Sequence, residues 1–366
     1  MLSERIEKIE ESGIRKVFEL ASQNKGDWID FSIGQPHFKP PKKLKKALCQ
    51  ASQADYNSYT STKGLESLRK KVISKFKKEN KIKAGDDEVM ITSGVSGGIF
   101  LSFAATLDPG DEVILPDPYF VLYKQILDFL GVKTIFLDTY PDFQINAQRL
   151  REAITPQTKA IIINTPNNPT GAVYEKKILT EVAKIARKNN LIIFSDEVYE
   201  KFDFDGKFFS IGSIYDKTIT LNGFSKSHLV TGWRVGYIHA PARIIGAMNK
   251  LQQYTFVCAP AMAQQAIASE WKIDLSACVD QYKKNRDYLV QNLDPKYRFE
   301  APQGSYYAFV KNPKGIKGFP EKLRRKKVLV VPGGVFSRKR GYFRLSFAVE
   351  KQTLVRGVEI LNNLVK

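Results

Sequence analysis

Short apolar runs alternate with helical segments through the middle of this chain, and this alternation constrains the fold more than any other feature. Seven runs have the length and flanking residues of buried strands: Glu88–Thr92, Glu112–Leu115, Lys133–Leu137, Ala160–Asn164, Leu191–Ser195, Thr218–Leu221 and Val235–His239. Strands that alternate with helices pair in parallel and are covered by helices on both faces. The pattern therefore predicts an α/β fold with one large, mainly parallel mixed sheet.

From about Asp280 the pattern changes to a long basic helix, a group of strands and a closing helix. The strands of this part are predicted at Tyr306–Val310, Val328–Val331 and Tyr342–Phe347. This predicts a smaller α+β domain over residues 281–366 beside a large domain over residues 41–280. Residues 1–40 are expected to form an N-terminal arm and part of the smaller domain.

The chain is strongly basic, with 57 Lys and Arg against 38 Asp and Glu and a net charge of +19. Such a charge is typical of proteins that bind nucleic acid. However, the basic residues form short clusters at helical spacing opposite apolar residues, as in Lys75, Lys77 and Lys78, which is typical of solvated helix faces. No nucleic-acid motif accompanies them, so we expect no nucleic-acid partner.

The sequence also bears on the compartment of the protein. It contains no apolar run of the length, about 18 residues, that spans a membrane, and its first residues are charged where a signal peptide is apolar. The three cysteines, Cys49, Cys258 and Cys278, lack the spacing of a disulfide framework or a zinc site. We therefore expect a cytoplasmic protein with no membrane partner and no metal.

Three polar segments directly follow predicted strands, where open α/β sheets bind their ligands. Asp196 directly follows the predicted strand Leu191–Ser195. The turn Asn164-Thr-Pro-Asn-Asn-Pro-Thr-Gly171 continues from the strand Ala160–Asn164. Lys226 comes after the strand Thr218–Leu221, and Arg234 lies eight residues later. Taken singly, these segments are typical of an acid that caps a helix, an extended turn and a surface lysine.

Taken together, in this order and spacing, they resemble the fold-type I, class I/II aminotransferases that use pyridoxal 5′-phosphate. The resemblance runs from Ser32-Ile-Gly-Gln-Pro36 to Tyr342-Phe-Arg-Leu-Ser346. It implies an enzyme that moves the α-amino group of an amino acid to a 2-oxo acid through a Schiff base of pyridoxal phosphate on Lys226. A carbon–sulfur β-lyase, or another fold-type I enzyme acting on an amino acid, is the alternative, because the pocket determines which bond breaks.

The resemblance implies roles for the residues around the cofactor ring. Lys226 would carry a proton between the substrate Cα and the cofactor, and Asp196 would keep the ring nitrogen protonated so that electrons released at Cα flow into the ring. Tyr199 and Asn168 match positions that hydrogen-bond the ring hydroxyl oxygen. Phe120 matches the aromatic side chain that stacks on the cofactor face.

The resemblance also implies a site for the cofactor phosphate. The backbone N–H groups of Val95 and Ser96, with the Ser96 hydroxyl, would form an anion site at the start of a helix. Ser225 and Arg234 match the remaining phosphate ligands. Gly223 departs from the pattern, since the family often has serine there, and this departure leaves more of the phosphate contact to Ser225 and Arg234.

For the substrate, the resemblance implies that Arg344 binds the α-carboxylate, because its planar guanidinium suits a carboxylate. The backbone of Gly34 matches a second contact to this group, and Asn164 is a further candidate near it. A buried structural ion pair is the alternative for Arg344. His228 receives no role, because a lone histidine after the lysine is more often structural.

Tyr59, in Tyr59-Thr-Ser-Thr-Lys-Gly64, matches a tyrosine that reaches the cofactor phosphate of the neighbouring subunit. Neither subunit would then have a complete site alone, so we expect a homodimer with shared active sites.

The segments Ser12–Ala21 and Gln252–Cys258 look like the subgroup that contains archaeal-type aromatic and aspartate enzymes. This resemblance implies an aromatic amino acid or aspartate as one substrate, with glutamate and 2-oxoglutarate as the second pair. The sequence leaves the choice between the aromatic and the aspartate substrate open.

Overall fold

The computed structural model describes residues 2–23, 27–316 and 318–366. Over these residues it contains twelve strands and fourteen helices. The strands are β1 (Ile29–Asp30), β2 (Val89–Thr92), β3 (Glu112–Asp117), β4 (Lys133–Asp138), β5 (Thr158–Asn164), β6 (Ile192–Asp196), β7 (Thr218–Gly223), β8 (Gly236–His239), β9 (Tyr307–Lys311), β10 (Val328–Leu329), β11 (Val331–Pro332) and β12 (Tyr342–Ser346). The helices are α1 (Glu4–Glu7), α2 (Gly13–Gln23), α3 (Lys42–Gln53), α4 (Glu66–Lys75), α5 (Gly94–Thr106), α6 (Val121–Leu130), α7 (Ala147–Glu152), α8 (Lys176–Lys188), α9 (Phe224–Ser227), α10 (Ala242–Gln253), α11 (Ala261–Ser269), α12 (Ser276–Asn292), α13 (Phe319–Arg325) and α14 (Lys351–Asn363).

Seven strands form the central sheet, in the order β2-β8-β7-β6-β5-β3-β4. Only β8 runs antiparallel to its neighbours β2 and β7, and the other pairs are parallel. Every residue of β2, β3 and β7 is buried, as expected for strands with helices on both faces. This architecture confirms the predicted α/β fold with a mainly parallel mixed sheet.

Two smaller sheets lie beside the central one. β11, β12 and β9 form an antiparallel sheet, while β1 pairs in parallel with β10. The backbone of Phe31 continues this pairing, because its N–H donates to the carbonyl of Leu329 and its carbonyl accepts from the N–H of Ser346. The segment after β1 is thereby fixed against β12, which carries Arg344.

At the end of β2, Gly94 adopts a φ of +68° and turns the chain into α5 within one residue. Two local predictions differ from the structure. The predicted strand Val328–Val331 is two strands, because β10 pairs with β1 whereas β11 pairs with β12. Lys75 was assigned to a solvated helix face, but it is 6% exposed because its ammonium group pairs with Glu200 inside the protein.

Within the described ranges, no helix has both the length and the apolar character needed to cross a membrane. The same residues contain no group of three or more His, Cys, Asp or Glu side chains placed to hold a metal ion. The three cysteines are free thiols.

Gly357 of α14 provides a test of the packing beside the site, because a Cβ at this position would lie 2.2 Å from Cζ of the buried Phe31. We expect Gly357→Ala to lower the free energy of unfolding by about 1–3 kcal/mol, since overpacking outweighs the gain in helix propensity. Gly246→Ala in α10 is the matched control, because a Cβ there meets nothing within 4 Å. This control should gain up to about 1 kcal/mol. Equal stability of the two variants in urea unfolding would contradict the packing.

Candidate active site

The candidate site lies where β5, β6 and β7 end. Asn164 and Asp196 are the last residues of β5 and β6, and they are paired in register, as Asp196 is with Leu221 of β7. A cavity of about 540 Å³ opens at this edge, which is where open α/β sheets bind ligands. The predicted site residues that line it are Gly34, Val95, Ser96, Phe120, Asn164, Asn168, Asp196, Tyr199, Ser225, Lys226, Arg234 and Arg344.

Asp196 is a buried carboxylate that faces this cavity. Its Oδ2 accepts a 2.6 Å hydrogen bond from the Tyr123 hydroxyl, and its Oδ1 accepts one of 3.2 Å from the backbone N–H of Val198. No described Lys, Arg or His forms an ion pair with it. Burial raises its pKa to about 6, although Tyr123, Val198 and the charge of Lys226 act in the opposite direction. The ionised carboxylate therefore favours binding of a ligand that places a cationic group beside it.

Lys226 lies in α9, directly after β7, and its Nζ donates a 2.6 Å hydrogen bond to the carbonyl of Gly34. Burial and the positive charges of Arg344 and Arg234 together lower the pKa of this amine to about 7, although the charge of Asp196 acts in the opposite direction. An amine with this pKa is partly deprotonated at neutral pH. Lys226 can therefore act as a nucleophile or as a base.

Arg344 of β12 is 1% exposed, and its guanidinium lies between the rings of Tyr307 and Phe336, at 4.5 and 4.6 Å from their centroids. Nη1 donates to Asn168 Oδ1 at 3.0 Å and Nη2 to the carbonyl of Ser32 at 2.7 Å. It forms no ion pair with a carboxylate of the described residues, and its Nε has no hydrogen-bond partner there. The structural ion pair considered for Arg344 is therefore not formed within the described chain. A buried cation of this kind favours an anionic ligand.

Arg234 lines the same cavity and lies beside the turn that begins α5. It adopts a left-handed backbone conformation with a φ of +56°, and its Nη1 donates to the carbonyl of Thr231 at 2.9 Å. A Cβ at Gly94 would lie 2.6 Å from Arg234 Nη2, so the glycine is what allows the guanidinium to approach the start of the helix. The guanidinium and the N-terminus of α5 together favour an anion.

Gly223, the departure from the family pattern, is explained by close packing. A Cβ at this position would lie 2.9 Å from Val95 Cγ2 and 3.2 Å from the Cα of Gly236. The end of β7 therefore approaches β8 and the α5 turn too closely for a serine in this conformation.

Two residues considered from the sequence, Tyr59 and His228, fall outside the cavity lining. Tyr59 is 84% exposed and lies on the surface. His228 is buried away from the cavity, with Nε2 3.2 Å from the carbonyl of Trp271 and Nδ1 3.0 Å from the Ser227 hydroxyl. Burial lowers its pKa to about 4, so it is neutral at physiological pH.

Sequence reasoning missed several residues that the structure places in the site. Tyr123 bonds Asp196, and the hydroxyl groups of Tyr307 and Tyr199 are 3.0 Å apart. The helix α2 also contributes to the cavity, through Ile14 and Phe18 among others. The only sequence signal for Tyr123 is its place one helical turn after Phe120, and Tyr307 carries none beyond its strand.

Comparison with known proteins places these observations in context. The family model described as aminotransferase class I and II matches residues 26–361. A probable aspartate aminotransferase of Methanocaldococcus jannaschii is 34% identical over 377 aligned residues that cover 100% of both chains. An aromatic-amino-acid aminotransferase of Thermococcus litoralis is 36% identical over 100% of this chain and 98% of its own. The structure of aspartate aminotransferase from Thermus thermophilus with maleate has a TM-score of 0.94 and 31% identity, covering 100% of this chain and 99% of its own.

The raised pKa of Asp196 predicts how the stability of the cofactor-free protein depends on pH. Burial raises the pKa of Asp196 in the folded state from the ordinary value of 3.8 to about 6, so the folded state holds an extra proton between these values and loses stability as pH rises through them. Asp196→Asn removes this loss. We therefore expect the variant to be more stable than the wild type at pH 7.5, by on the order of 2–3 kcal/mol, and to lose this advantage near pH 4. A variant that is less stable than the wild type at pH 7.5 in urea unfolding would contradict the burial of an unpaired carboxylate.

Proposed function

Because the chain belongs to the class I and II aminotransferases, and is therefore a transaminase that uses pyridoxal phosphate, we propose that it transfers the α-amino group of an aromatic amino acid or aspartate to 2-oxoglutarate. The observation that carries this proposal is the placement of Lys226, Asp196 and the unpaired Arg344 on one cavity. An amine, an acceptor for a cation and an anion site are what this cofactor and an amino acid require.

The cavity fits the cofactor on the chemistry of its own side chains. The buried Asp196 carboxylate lacks a cation from the described residues, and a protonated ring nitrogen would supply one. Arg234, the backbone of Val95 and Ser96, and the Ser225 hydroxyl would hold the phosphate at the start of α5. Phe120 would cover one face of the ring. When bound, pyridoxal phosphate supplies a reversible carbonyl link to amines and an electron sink for the charge that develops at the substrate Cα.

Lys226 holds the aldehyde end of the cofactor and moves the proton of the reaction. Its pKa of about 7 leaves a substantial fraction of Nζ unprotonated at neutral pH, so the amine could accept the proton from the substrate Cα and deliver it to the carbon that the cofactor contributes as a carbonyl group. The carbonyl of Gly34, 2.6 Å from Nζ, orients the amine on the cavity wall.

Asn168 and Tyr199 act at the hydroxyl oxygen of the ring. The Asn168 Oδ1 accepts from Arg344, while its Nδ2 donates to no acceptor of the described residues and is free to donate into the cavity. The hydroxyl oxygens of Tyr199 and Tyr307 are 3.0 Å apart. Burial raises the pKa of Tyr199 well above the ordinary value of 10, so the Tyr199 hydroxyl keeps its proton at neutral pH and can donate a hydrogen bond.

Arg344 binds the α-carboxylate that all amino-acid substrates share. Two of its nitrogens are fixed by Asn168 and Ser32, and the stacked rings hold the guanidinium plane, so little side-chain entropy is lost when a carboxylate binds. Gly34 and Asn164 line the cavity as further candidate contacts. The apolar side chains of Ile14, Phe18, Ile33, Ile99, Val121 and Leu122 in the lining favour an aromatic substrate over aspartate.

A cytoplasmic homodimer is part of this proposal, and Tyr59 supports it. The segment around Tyr59 is fixed, because the Thr60 hydroxyl accepts from Gln264 at 3.3 Å and the carbonyl of Thr62 accepts from Gln252 at 2.6 Å. A single exposed aromatic side chain is common on protein surfaces, so the match of Tyr59 to a position that reaches a neighbouring subunit carries this assignment. In the proposed dimer, Tyr59 contacts the cofactor phosphate in the site of the partner subunit.

Lys226→Ala should abolish borohydride-dependent attachment of the cofactor and essentially all amino-group transfer, because Lys226 is the only lysine that lines the cavity among the described residues. Peptide mapping after reduction checks the attachment, and the exposed Lys207→Ala is the control that should retain both properties. Cofactor attached to a different lysine in the Lys226→Ala protein would show that the assignment is wrong.

Mixed dimers test the shared site. In a heterodimer of Tyr59→Ala and Lys226→Ala subunits, one site carries both substitutions and the other carries none. At limiting cofactor, activity should therefore rise above that of either parent after subunit exchange. An absence of recovery, with exchange verified by mass spectrometry, would refute the contribution of Tyr59 to the partner's site.

The substrate is tested by comparing kcat/KM for phenylalanine, tyrosine and aspartate with 2-oxoglutarate as acceptor. We expect the aromatic substrates to exceed aspartate because of the apolar lining. A parallel assay supplies a thioether of cysteine without 2-oxoglutarate, and release of a thiol, pyruvate and ammonia from it would identify a carbon–sulfur β-lyase. Failure of all three amino acids would contradict the proposed substrate class.

A further inference from the structure

Behind the loop that carries Asp196 and Tyr199 lies a buried group of polar side chains that is separate from the cavity lining. It consists of Lys75, Asn80, Glu197 and Glu200, and is called the rear cluster below. Glu197 is 0% exposed and Asn80 3%, and the side chains of Lys75 and Glu200 are 4% and 6% exposed. Buried polar groups of this kind must satisfy one another.

Asn80 is the bridge of the rear cluster. Its Nδ2 donates to Glu197 Oε2 and to Glu200 Oε2, both at 3.0 Å, and its Oδ1 accepts from Lys75 Nζ at 2.6 Å. Lys75 also forms an ion pair with Glu200. One amide thus uses both of its N–H donors to hold two carboxylates and its oxygen to hold their counter-ion.

Glu197 connects this bridge to the sheet. Its Oε1 accepts from the hydroxyl groups of Ser195 at 2.9 Å and Ser210 at 2.7 Å, and its backbone N–H donates to the carbonyl of Leu221 in β7. Consecutive side chains at a strand end point to opposite faces. Fixing Glu197 behind the sheet therefore fixes the direction in which its neighbour Asp196 enters the cavity.

The helix that supplies Asn80 is built for this contact. α4 continues into a π-helical turn, Phe76–Asn80, which ends at Lys81 with a φ of +60°. Phe76 is buried, while Lys77, Lys78 and Glu79 are exposed. Such turns are rare and occur frequently at functional sites. The wider turn brings Asn80 back into the protein after three exposed residues.

The rear cluster contains two carboxyl groups and one ammonium group, and it depends on its hydrogen-bond donors. Burial and the neighbouring Glu200 together raise the pKa of Glu197 to about 8, although Ser210, Lys75 and Ser195 act in the opposite direction. Outside the cluster, Lys201 pairs with Glu79 at 2.6 Å, and the Tyr237 ring lies 5.8 Å from Lys75 Nζ. Without Asn80, two buried carboxylates would lose the donor that they share.

We propose that Asn80 is a positioning residue for the transaminase reaction, which holds the segment Asp196–Glu200 from behind the sheet so that the Asp196 carboxylate and the Tyr199 hydroxyl keep their places in the cavity. The inference rests on the proposed function for the roles of Asp196 and Tyr199. Asn80 touches neither substrate nor cofactor. Its effect is transmitted through Glu197, which directly follows Asp196, and through Glu200, which directly follows Tyr199.

The test compares Asn80→Ala with Asn285→Ala in the holoenzyme. Asn285 is a matched control, because it is equally buried, donates to the carbonyl groups of Phe347 and Val349, and accepts from Gln281. For Asn80→Ala we expect the dissociation constant of pyridoxal phosphate to rise and kcat to fall, each about tenfold or more, with KM within about threefold. The pH midpoint of the visible absorbance of the bound cofactor should also shift, by more than about half a unit.

Asn285→Ala should lower the thermal unfolding midpoint of the protein. Its cofactor affinity and kcat should stay within about twofold of the wild type, and the pH midpoint of the cofactor absorbance should stay within about 0.3 units. Asn80→Ala behaviour that matches this control would overturn the proposal. If Asn80→Ala does not fold, Ser210→Ala carries the test, because it removes only one donor to Glu197. Ser210→Ala should raise the dissociation constant of pyridoxal phosphate about threefold, and an unchanged dissociation constant would overturn the proposal.

Asp196→Asn is measured in parallel to separate this inference from the proposed function. If Asp196→Asn changes cofactor affinity and absorbance while Asn80→Ala does not, the positioning role alone is wrong. If Asp196→Asn changes neither, the proposed role of Asp196 is wrong, and the positioning role is wrong with it.

Discussion

The rest of the site depends on the burial of the Asp196 carboxylate at the end of β6, where no described residue forms an ion pair with it. The register of β5, β6 and β7 places it at the sheet edge, and Tyr123 and Val198 fix its two oxygens. A buried charge without a partner is unfavourable. In the proposed function a cationic ligand would complete the stabilisation of this carboxylate, so the arrangement that weakens the cofactor-free protein would also select the cofactor.

The cavity is also lined by positively charged side chains. Lys226, Arg234 and Arg344 line the same cavity as the buried Asp196, and each of the two guanidinium groups lowers the pKa of the lysine. In the proposed function these charges would also attract the phosphate and carboxylate groups of the ligands. β12, which carries Arg344, is joined through Phe31 to the pairing of β1 with β10.

The fold was largely predictable because buried strands leave continuous apolar runs, and the site motifs follow those strands. The antiparallel direction of β8 was not predictable, since its composition does not differ from that of the parallel strands. Tyr123 and Asn80 were missed for a different reason. Their partners, Asp196 and Glu197, are far away in the sequence, and Asn80 ends a charged run, Lys77-Lys78-Glu79, that has the composition of a solvated helix end.

The central claim, that Asp196 keeps the ring nitrogen of the cofactor protonated, is tested most directly by ¹⁵N NMR of the holoenzyme loaded with pyridoxal phosphate labelled at that nitrogen. At pH 7.5 the wild type should show the chemical shift of a protonated pyridine, and Asp196→Asn should show that of the unprotonated ring, because a neutral amide cannot stabilise the cation in a buried site. An unprotonated nitrogen in the wild type, or a protonated one in Asp196→Asn, would contradict the account.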